Sequence, residues 1–360
     1  MTPRVEKLRK QTLNAKVTLS HERAALVTDF YRSGISMKES VPVQRALCLK
    51  YILENKKLCI DKDELIVGER GPSPKAVPTY PEICLHSLDD LNLLNSRDKI
   101  PYKVSNETMQ FYEDQIIPFW HKKTIREKIL SSMDKEWIDA FESGIFTEFQ
   151  EQRSPGHTAC GSMIYKKGFN CLKKDIVNSV GKLDFFNDPA AFDKKEELKA
   201  MDIAADALIL FAKRHGGQLL KLAEQEKNPK RIDKLNEMAE ICFKIPANAP
   251  ETFHEALQYY WFLHVGVITE LNPWDAFNPG RLDCNLYQFY THDIEKGILT
   301  EKRAKELLSC FWIKFNNHPA PPKVGVTAKE SNTYVDFCLI NLGGLTKNNT
   351  NGVNDLTYLI

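Results

Sequence analysis

Two stretches of this sequence hold residue types that could move protons. The first, Thr269-Glu-Leu-Asn-Pro-Trp-Asp-Ala-Phe-Asn-Pro-Gly-Arg-Leu-Asp283, places three acids (Glu270, Asp275, Asp283) among Trp274, Phe277 and Arg281. Pro273 and Pro279 forbid an ordinary helix across it, and Gly280 after Pro279 is turn chemistry. Trp and Phe carry large apolar surfaces that favour burial. Asp275, held between Trp274 and Phe277, would then be partly desolvated, which raises a carboxyl pKa. A raised carboxyl in a shaped pocket suits general acid–base work; the alternative is a buried structural acid paired with Arg281. The second stretch, Gln152-Arg-Ser-Pro-Gly-His-Thr-Ala-Cys-Gly161, uses Pro155-Gly156 as a turn that would fix His157. An imidazole titrates near neutrality, so His157 is the histidine best suited to chemistry, against the alternative of a hydrogen-bonded loop histidine.

Composition narrows the partners. A formal net charge of +1 over 360 residues gives no electrostatic reason to expect nucleic acid or an anionic membrane. The charged start, Met1-Thr-Pro-Arg-Val-Glu-Lys-Leu-Arg-Lys10, lacks the apolar core of a signal peptide, and no apolar run approaches transmembrane length. Nine scattered cysteines without a C-x-x-C pair read as reduced thiols of a cytoplasmic protein, not as a disulfide framework or a zinc site. Repeats and the H-E-x-x-H, G-x-S-x-G and G-x-G-x-x-G motifs are absent from the sequence.

Helices must position these stretches. Ser20 reads as the N-cap of a helix with Ala24, Leu26, Val27 and Phe30 on its apolar face. A second helix, Val43 to Asn55, turns Ala46, Leu47, Tyr51 and Ile52 inward. Leu65-Ile-Val-Gly68 reads as a short buried strand. The loop after it, Gly71-Pro-Ser-Pro74, lacks phosphate-loop spacing. Asn106–Ser132 is helical, with Pro118 as a kink or an end, and Ser131–Glu142 and Ser162–Val180 follow. Asp188 opens a long helix with Leu198, Met201, Ala205, Leu208 and Ala212 inward. Gln218–Glu240 reads as a peripheral solvated pair broken at Asn228-Pro229. Glu251–Val267 feeds the first stretch. Leu282–Lys296 and Glu301–Phe315 come next, the latter capped by Thr300. Strands are expected at Lys323–Thr327 and Phe337–Leu342, around the loop Ser331–Phe337. The terminal Leu356-Thr-Tyr-Leu-Ile360 is apolar and reads as an uncapped helix interior, which predicts a truncated chain.

Four stretches together resemble one family. They are Gly68-Glu-Arg-Gly71 with Thr79-Tyr-Pro-Glu-Ile83, Glu151-Gln-Arg-Ser-Pro-Gly-His-Thr158, the segment 269–283, and Trp312-Ile-Lys-Phe-Asn-Asn-His-Pro-Ala-Pro-Pro-Lys-Val-Gly325. The resemblance is to the N-terminal half of glycyl radical enzymes of the pyruvate formate-lyase-like group, within it to the branch that dehydrates hydroxyproline. It implies an α/β fold: the N-terminal part of a ten-stranded glycyl-radical-enzyme barrel, predominantly helical in this segment with a few barrel strands. Residues 1–360 would be one portion of that domain, ending before the cysteine loop and the glycyl radical domain. None of the nine cysteines has the Gly-Cys-(Val/Ser)-Glu setting, and no Arg-Val-x-Gly-Tyr glycine loop occurs. This chain by itself is therefore expected to be inactive and to bind no cofactor or metal. The glycyl radical is expected in the C-terminal part, installed by an S-adenosylmethionine-dependent iron–sulfur activating enzyme. The resemblance further implies an anaerobic, cytoplasmic homodimer with a small amino-acid substrate and no nucleic-acid or membrane partner.

The resemblance also implies roles. A thiyl radical takes a hydrogen from the carbon beside the ring nitrogen, and the neighbouring hydroxyl leaves as water. His157 and Asp275 match positions that assist hydroxyl loss. Ser331, Asp336 and Phe337 match the loop that holds the amino-acid end: Ser331 toward the carboxylate, Asp336 toward the ammonium, Phe337 against the ring. Phe149 matches a pocket-wall aromatic. The plainer readings are a turn-capping Asp336, a strand-core Phe337 alternating with Leu339, and a loop hydroxyl at Ser331. Pro273 before Trp274 and Leu342 before Gly343-Gly344 depart from the pattern and bear on the substrate. The competing readings are another glycyl radical enzyme (a diol or amino-alcohol lyase, a decarboxylase or an acyl-cleaving enzyme) and a non-catalytic scaffold.

Overall fold

A helix that is apolar on every side has to be buried, and Phe253–Glu270 is such a helix: every residue except Val267 and Glu270 is buried. A capping box starts it, the Thr252 hydroxyl accepting from Glu255 N–H while the Glu255 carboxylate accepts from Thr252 N–H. The computed structural model describes residues 1–143, 145, 161–271, 278–325 and 340–360.

In chain order the helices are α1 (Pro3–Asn14), α2 (Glu22–Arg32), α3 (Val41–Asn55), α4 (Leu88–Ser96), α5 (Asn106–Phe111), α6 (Ile117–Trp120), α7 (Ile125–Ser132), α8 (Lys135–Glu142), α9 (Phe169–Val180), α10 (Ala191–Gln225), α11 (Pro229–Lys244), α12 (Phe253–Glu270), α13 (Leu282–Glu295) and α14 (Glu301–Asn316). β1 (Thr18–Ser20) and β2 (Ala76–Pro78) form a two-stranded parallel sheet, with Leu19 opposite Val77. The main core gathers α12 with the inner faces of α10, α11, α13 and α14, and a second core packs α2, α3 and α4 against residues 102–120. The 35-residue α10 lies along α3 and α11. Gly266 lets α12 touch α10, since a Cβ there would lie 2.4 Å from Leu208 Cδ2. The predominantly helical character with few strands agrees with the fold class expected.

Several local expectations need correction. Ser20 ends β1 and is not the N-cap of α2, although its hydroxyl accepts from Glu22 N–H at 3.3 Å. Leu65–Gly68 is fully buried but is not a strand. Val67 exchanges both backbone bonds with the Gln258 side-chain amide, each 2.8 Å, and Gly68 C=O accepts from Trp261 Nε1 at 2.8 Å. Side chains of α12 thus satisfy the backbone groups that a neighbouring strand would. Pro118 lies at the start of α6 after a π-helical turn, Tyr112–Ile116, and the helix breaks beyond Trp120. A π turn shifts bonding to i→i+5, which accommodates a residue that cannot donate to the carbonyl four places back. Met201 is exposed, whereas Ala205, Leu208 and Ala212 are buried. The Gln218–Glu240 pair is not peripheral: Leu219, Ala223, Leu235, Met238 and Ala239 enter the main core. The described part of the expected strand at 323–327 is coil and turn, and in the expected strand at 337–342 the described Ile340 forms a single bridge with Gly280. The terminal turn is 3₁₀ (Asp355–Tyr358) and is capped, by Asn354 and Thr357.

Candidate functional site

Each of the residues singled out for chemistry or binding (His157, Asp275, Ser331, Asp336, Phe337, Phe149) lies outside the described residues, as do Cys160, Pro273 and Cys338. The structure describes the frame at the ends of segments 272–277 and 326–339, and three polar clusters hold that frame.

The first fixes the end of α12, from which residues 272–277 follow. The last carbonyls of a helix lack intrahelical donors. Here Arg23 of α2 donates Nε to Thr269 O at 2.6 Å and Nη2 to Glu270 O at 3.3 Å, while Tyr80 OH donates to Ile268 O. The same guanidinium lies 3.8 Å over the Tyr80 ring and pairs with Glu82 at 2.5 Å. Burial works against its charge, but Glu82 outweighs that and raises the Arg23 pKa. A cation at a helix C-terminus is also favoured by the helix dipole. Glu270, one of the acids picked out above, is held by Arg45 Nε at 2.9 Å.

The second cluster leads into residues 326–339. Glu69 and Arg70 of the Gly68–Gly71 motif meet Lys314, Asn317 and His318 from the end of α14. Lys314 Nζ donates to Glu69 Oε1 at 2.7 Å and to Glu64 Oε1, Asn317 Nδ2 donates to Glu69 Oε1 at 3.1 Å, and His318 Nε2 lies 2.6 Å from Glu69 Oε2. All of these side chains are buried. Burial pushes Glu69 up, but Lys314 and His318 more than reverse this and hold it well below the carboxylate range. Burial dominates at Glu64, whose pKa is pushed up to about 7. Burial also lowers His318, against the opposing pull of Glu69. Arg70 donates to Pro319 O, and Tyr102 OH to Ala320 O at 2.8 Å, fixing the proline-rich exit.

The third cluster stands where residues 272–277 and 326–339 both re-enter the described structure. Gly280, at φ 63°, accepts from Asn341 N–H at 3.1 Å in a parallel bridge with Ile340. Arg281 and Asp283 bind the backbone that follows Ile340. Burial pushes the Asp283 carboxyl up, but hydrogen bonds from Thr357, Gly343 N–H and Cys284 outweigh it and lower its pKa.

Arg281 and Asp283 were legible as polar members of an unusual stretch. Arg23 and Glu64 were not, because nothing in their local sequence marks them, and Lys314 lies in a stretch that carries the family resemblance without a role of its own. No disulfide joins any two of the seven described cysteines. Among the described residues no group of three or more His, Cys, Asp or Glu could hold a metal ion, and no helix is long and apolar enough to cross a membrane.

Comparison with known proteins extends the picture beyond the described residues. A family model described as pyruvate formate lyase-like matches residues 1–360. The chain is 51% identical to trans-4-hydroxy-L-proline dehydratase of Clostridioides difficile over 357 residues, covering 99% of this chain and 45% of that protein. The crystal structure of hydroxyproline dehydratase from Clostridioides difficile with trans-4-hydroxy-L-proline bound superposes with a TM-score of 0.95 at 50% identity, over 100% of this chain and 45% of that one. The glycerol-bound B12-independent glycerol dehydratase of Clostridium butyricum gives a TM-score of 0.91 at 29% identity, over 100% of this chain and 45% of that one. The chain thus spans less than half the length of these relatives.

Proposed function

The chain belongs to the pyruvate formate lyase-like family, and from that premise we propose that it is the N-terminal portion of a glycyl radical dehydratase that removes water from trans-4-hydroxy-L-proline to give 1-pyrroline-5-carboxylate. The observation that carries the substrate is the 51% identity to trans-4-hydroxy-L-proline dehydratase across 99% of this chain, against 29% to the glycerol dehydratase. In this reading residues 1–360 are one portion of a single catalytic domain. The whole protein is a cytoplasmic homodimer that works without oxygen and is activated by an S-adenosylmethionine-dependent iron–sulfur enzyme.

The radical supplies hydrogen abstraction beside the ring nitrogen. None of the seven described cysteines lies in a Gly-Cys-(Val/Ser)-Glu setting, so no radical step is assigned to this chain. Its own residues bind substrate and move a proton. Hydroxide leaves poorly, and a proton delivered to the hydroxyl oxygen lets it depart as water. His157 and Asp275 form the acid–base pair for that transfer. Ser331 and nearby N–H groups take the carboxylate, Asp336 takes the ammonium, and Phe337 and Phe149 wall the ring.

The amino-acid half of this reading rests on Asp336. A free amino acid presents a cation and an anion close together, and its pocket needs one acceptor-only group and one set of donors. A charge-assisted hydrogen bond is worth roughly 1.5–3 kcal/mol. With a tenfold change per ~1.4 kcal/mol, Asp336→Asn is expected to raise KM for hydroxyproline about 10–100-fold. Kinetics on the full-length protein, this chain joined to the C-terminal part of the Clostridioides difficile relative, measure it. A neutral hydroxylated ring lacking the amine is expected to lose much less. Equal losses for both would make Asp336 a loop-holding acid and remove the amino-acid assignment.

A further inference from the structure

The Arg281 guanidinium, at the N-cap of α13, donates to two carbonyls of a separate stretch: Nη1 to Leu345 O at 2.6 Å and Nη2 to Gly343 O at 2.5 Å. Nη2 also lies 3.2 Å from Cys284 Sγ. Asp283, two residues on, holds the same backbone by its other group: its Oδ2 accepts from Gly343 N–H at 2.7 Å and from Thr357 Oγ1 at 2.5 Å, while its Oδ1 accepts from Cys284 N–H at 2.7 Å. Gly343 is therefore gripped at both its N–H and its C=O from one helix start. The fit leaves no slack. Gly343 sits at φ 65°, and a Cβ there would lie 2.8 Å from Val353 Cγ2; a Cβ on Gly352 would lie 2.7 Å from Arg281 Nη2. Together with the Gly280–Ile340 bridge, these bonds join the chain just after residues 272–277 to the chain just after residues 326–339.

We propose that Arg281 is a positioning residue that holds the start of α13 to residues 343–345, and so fixes the two points at which the segment carrying Asp275 and the segment carrying Ser331, Asp336 and Phe337 rejoin the described residues. The proposal rests on the dehydratase reading for what those segments do. A planar guanidinium reaches two carbonyls at once in a fixed fork; a lysine ammonium keeps the charge but not the fork. Misplacement by ~1 Å can cost about 10²-fold in rate.

The test is Arg281→Lys in the full-length protein defined above, with kcat expressed per glycyl radical counted by electron paramagnetic resonance. The expected result is an unchanged radical count, with kcat/KM lower by about 10–100-fold and the loss shared between a raised KM and a lowered kcat. A purely structural Arg281 would lower the yield of soluble or radical-bearing protein and leave kcat per radical and KM at wild-type values, which overturns the proposal. Hydrogen exchange on the same two proteins reads the clasp without any turnover. Peptides covering 278–284 and 340–345 are expected to exchange faster together in the variant. A rise confined to one of them, or none, overturns the clasp. A wild-type protein that carries the radical but ignores hydroxyproline would instead refute the dehydratase reading, and exchange would still report on the clasp.

Discussion

Asp275→Asn is expected to lower turnover by about 10²–10⁴-fold, the usual contribution of a general acid or base, while the melting temperature stays close to wild type. The substitution keeps size and shape and removes only the proton-transfer group. Asp275 is flanked by Trp274 and Phe277, and loss of a hydroxyl as water needs a proton at the oxygen. Anaerobic turnover normalised to radical content, set beside a thermal melt, separates the two roles. A sharp fall in melting temperature with turnover near wild type would make Asp275 a structural acid.

Lys314→Met is expected to destabilise the fold by roughly 3–5 kcal/mol near pH 8, the cost of leaving buried charge uncompensated. Lys314 is the ammonium shared by Glu64 and Glu69, and all three are buried. The penalty depends on pH in a defined direction. Without Lys314 both carboxyls meet burial with less compensation, so their folded pKa values rise above the unfolded value of about 4.3. A group raised in this way contributes stability below its unfolded pKa and loses it as pH rises through the folded pKa. The deficit should therefore shrink from pH 8 toward pH 5. In the wild type Glu64, pushed up to about 7, already gives a smaller slope of the same sign across that window. Glu69, held low by Lys314 and His318, gives the opposite slope only in strong acid. Thermal melts across pH check this; a deficit that is constant or grows on acidification would mean that Lys314 acts through packing alone.

What the sequence disclosed followed from how local each signal is. The helix expected over Glu251–Val267 and the Thr300 cap depend on neighbours a few places away, and both stand in the structure. Leu65–Gly68 reads as a strand in sequence because its partners, Gln258 and Trp261, lie far along the chain and bond as side chains. Glu69 and Lys314 stand in motifs far apart along the chain, Glu64 in none, and only folding brings the three together. Met201 shares the helical spacing of Ala205 and Leu208 but sits where α10 faces outward. The site itself was legible as residue types: one acid between aromatics at 274–277 and a histidine after Pro-Gly at 155–157. Their roles came from the family resemblance, and none of them falls within the described residues. The frame at the ends of segments 272–277 and 326–339, built by Arg23, Lys314 and Arg281, became visible only in three dimensions.

Dehydration of hydroxyproline itself can be read in a single assay. This chain, joined to the C-terminal part of the Clostridioides difficile relative and activated anaerobically, is supplied with trans-4-hydroxy-L-proline, and 1-pyrroline-5-carboxylate is measured against the counted glycyl radical. The account predicts multiple turnovers per radical with hydroxyproline and little or none with glycerol. A protein that carries the radical, leaves hydroxyproline untouched and dehydrates glycerol would contradict it.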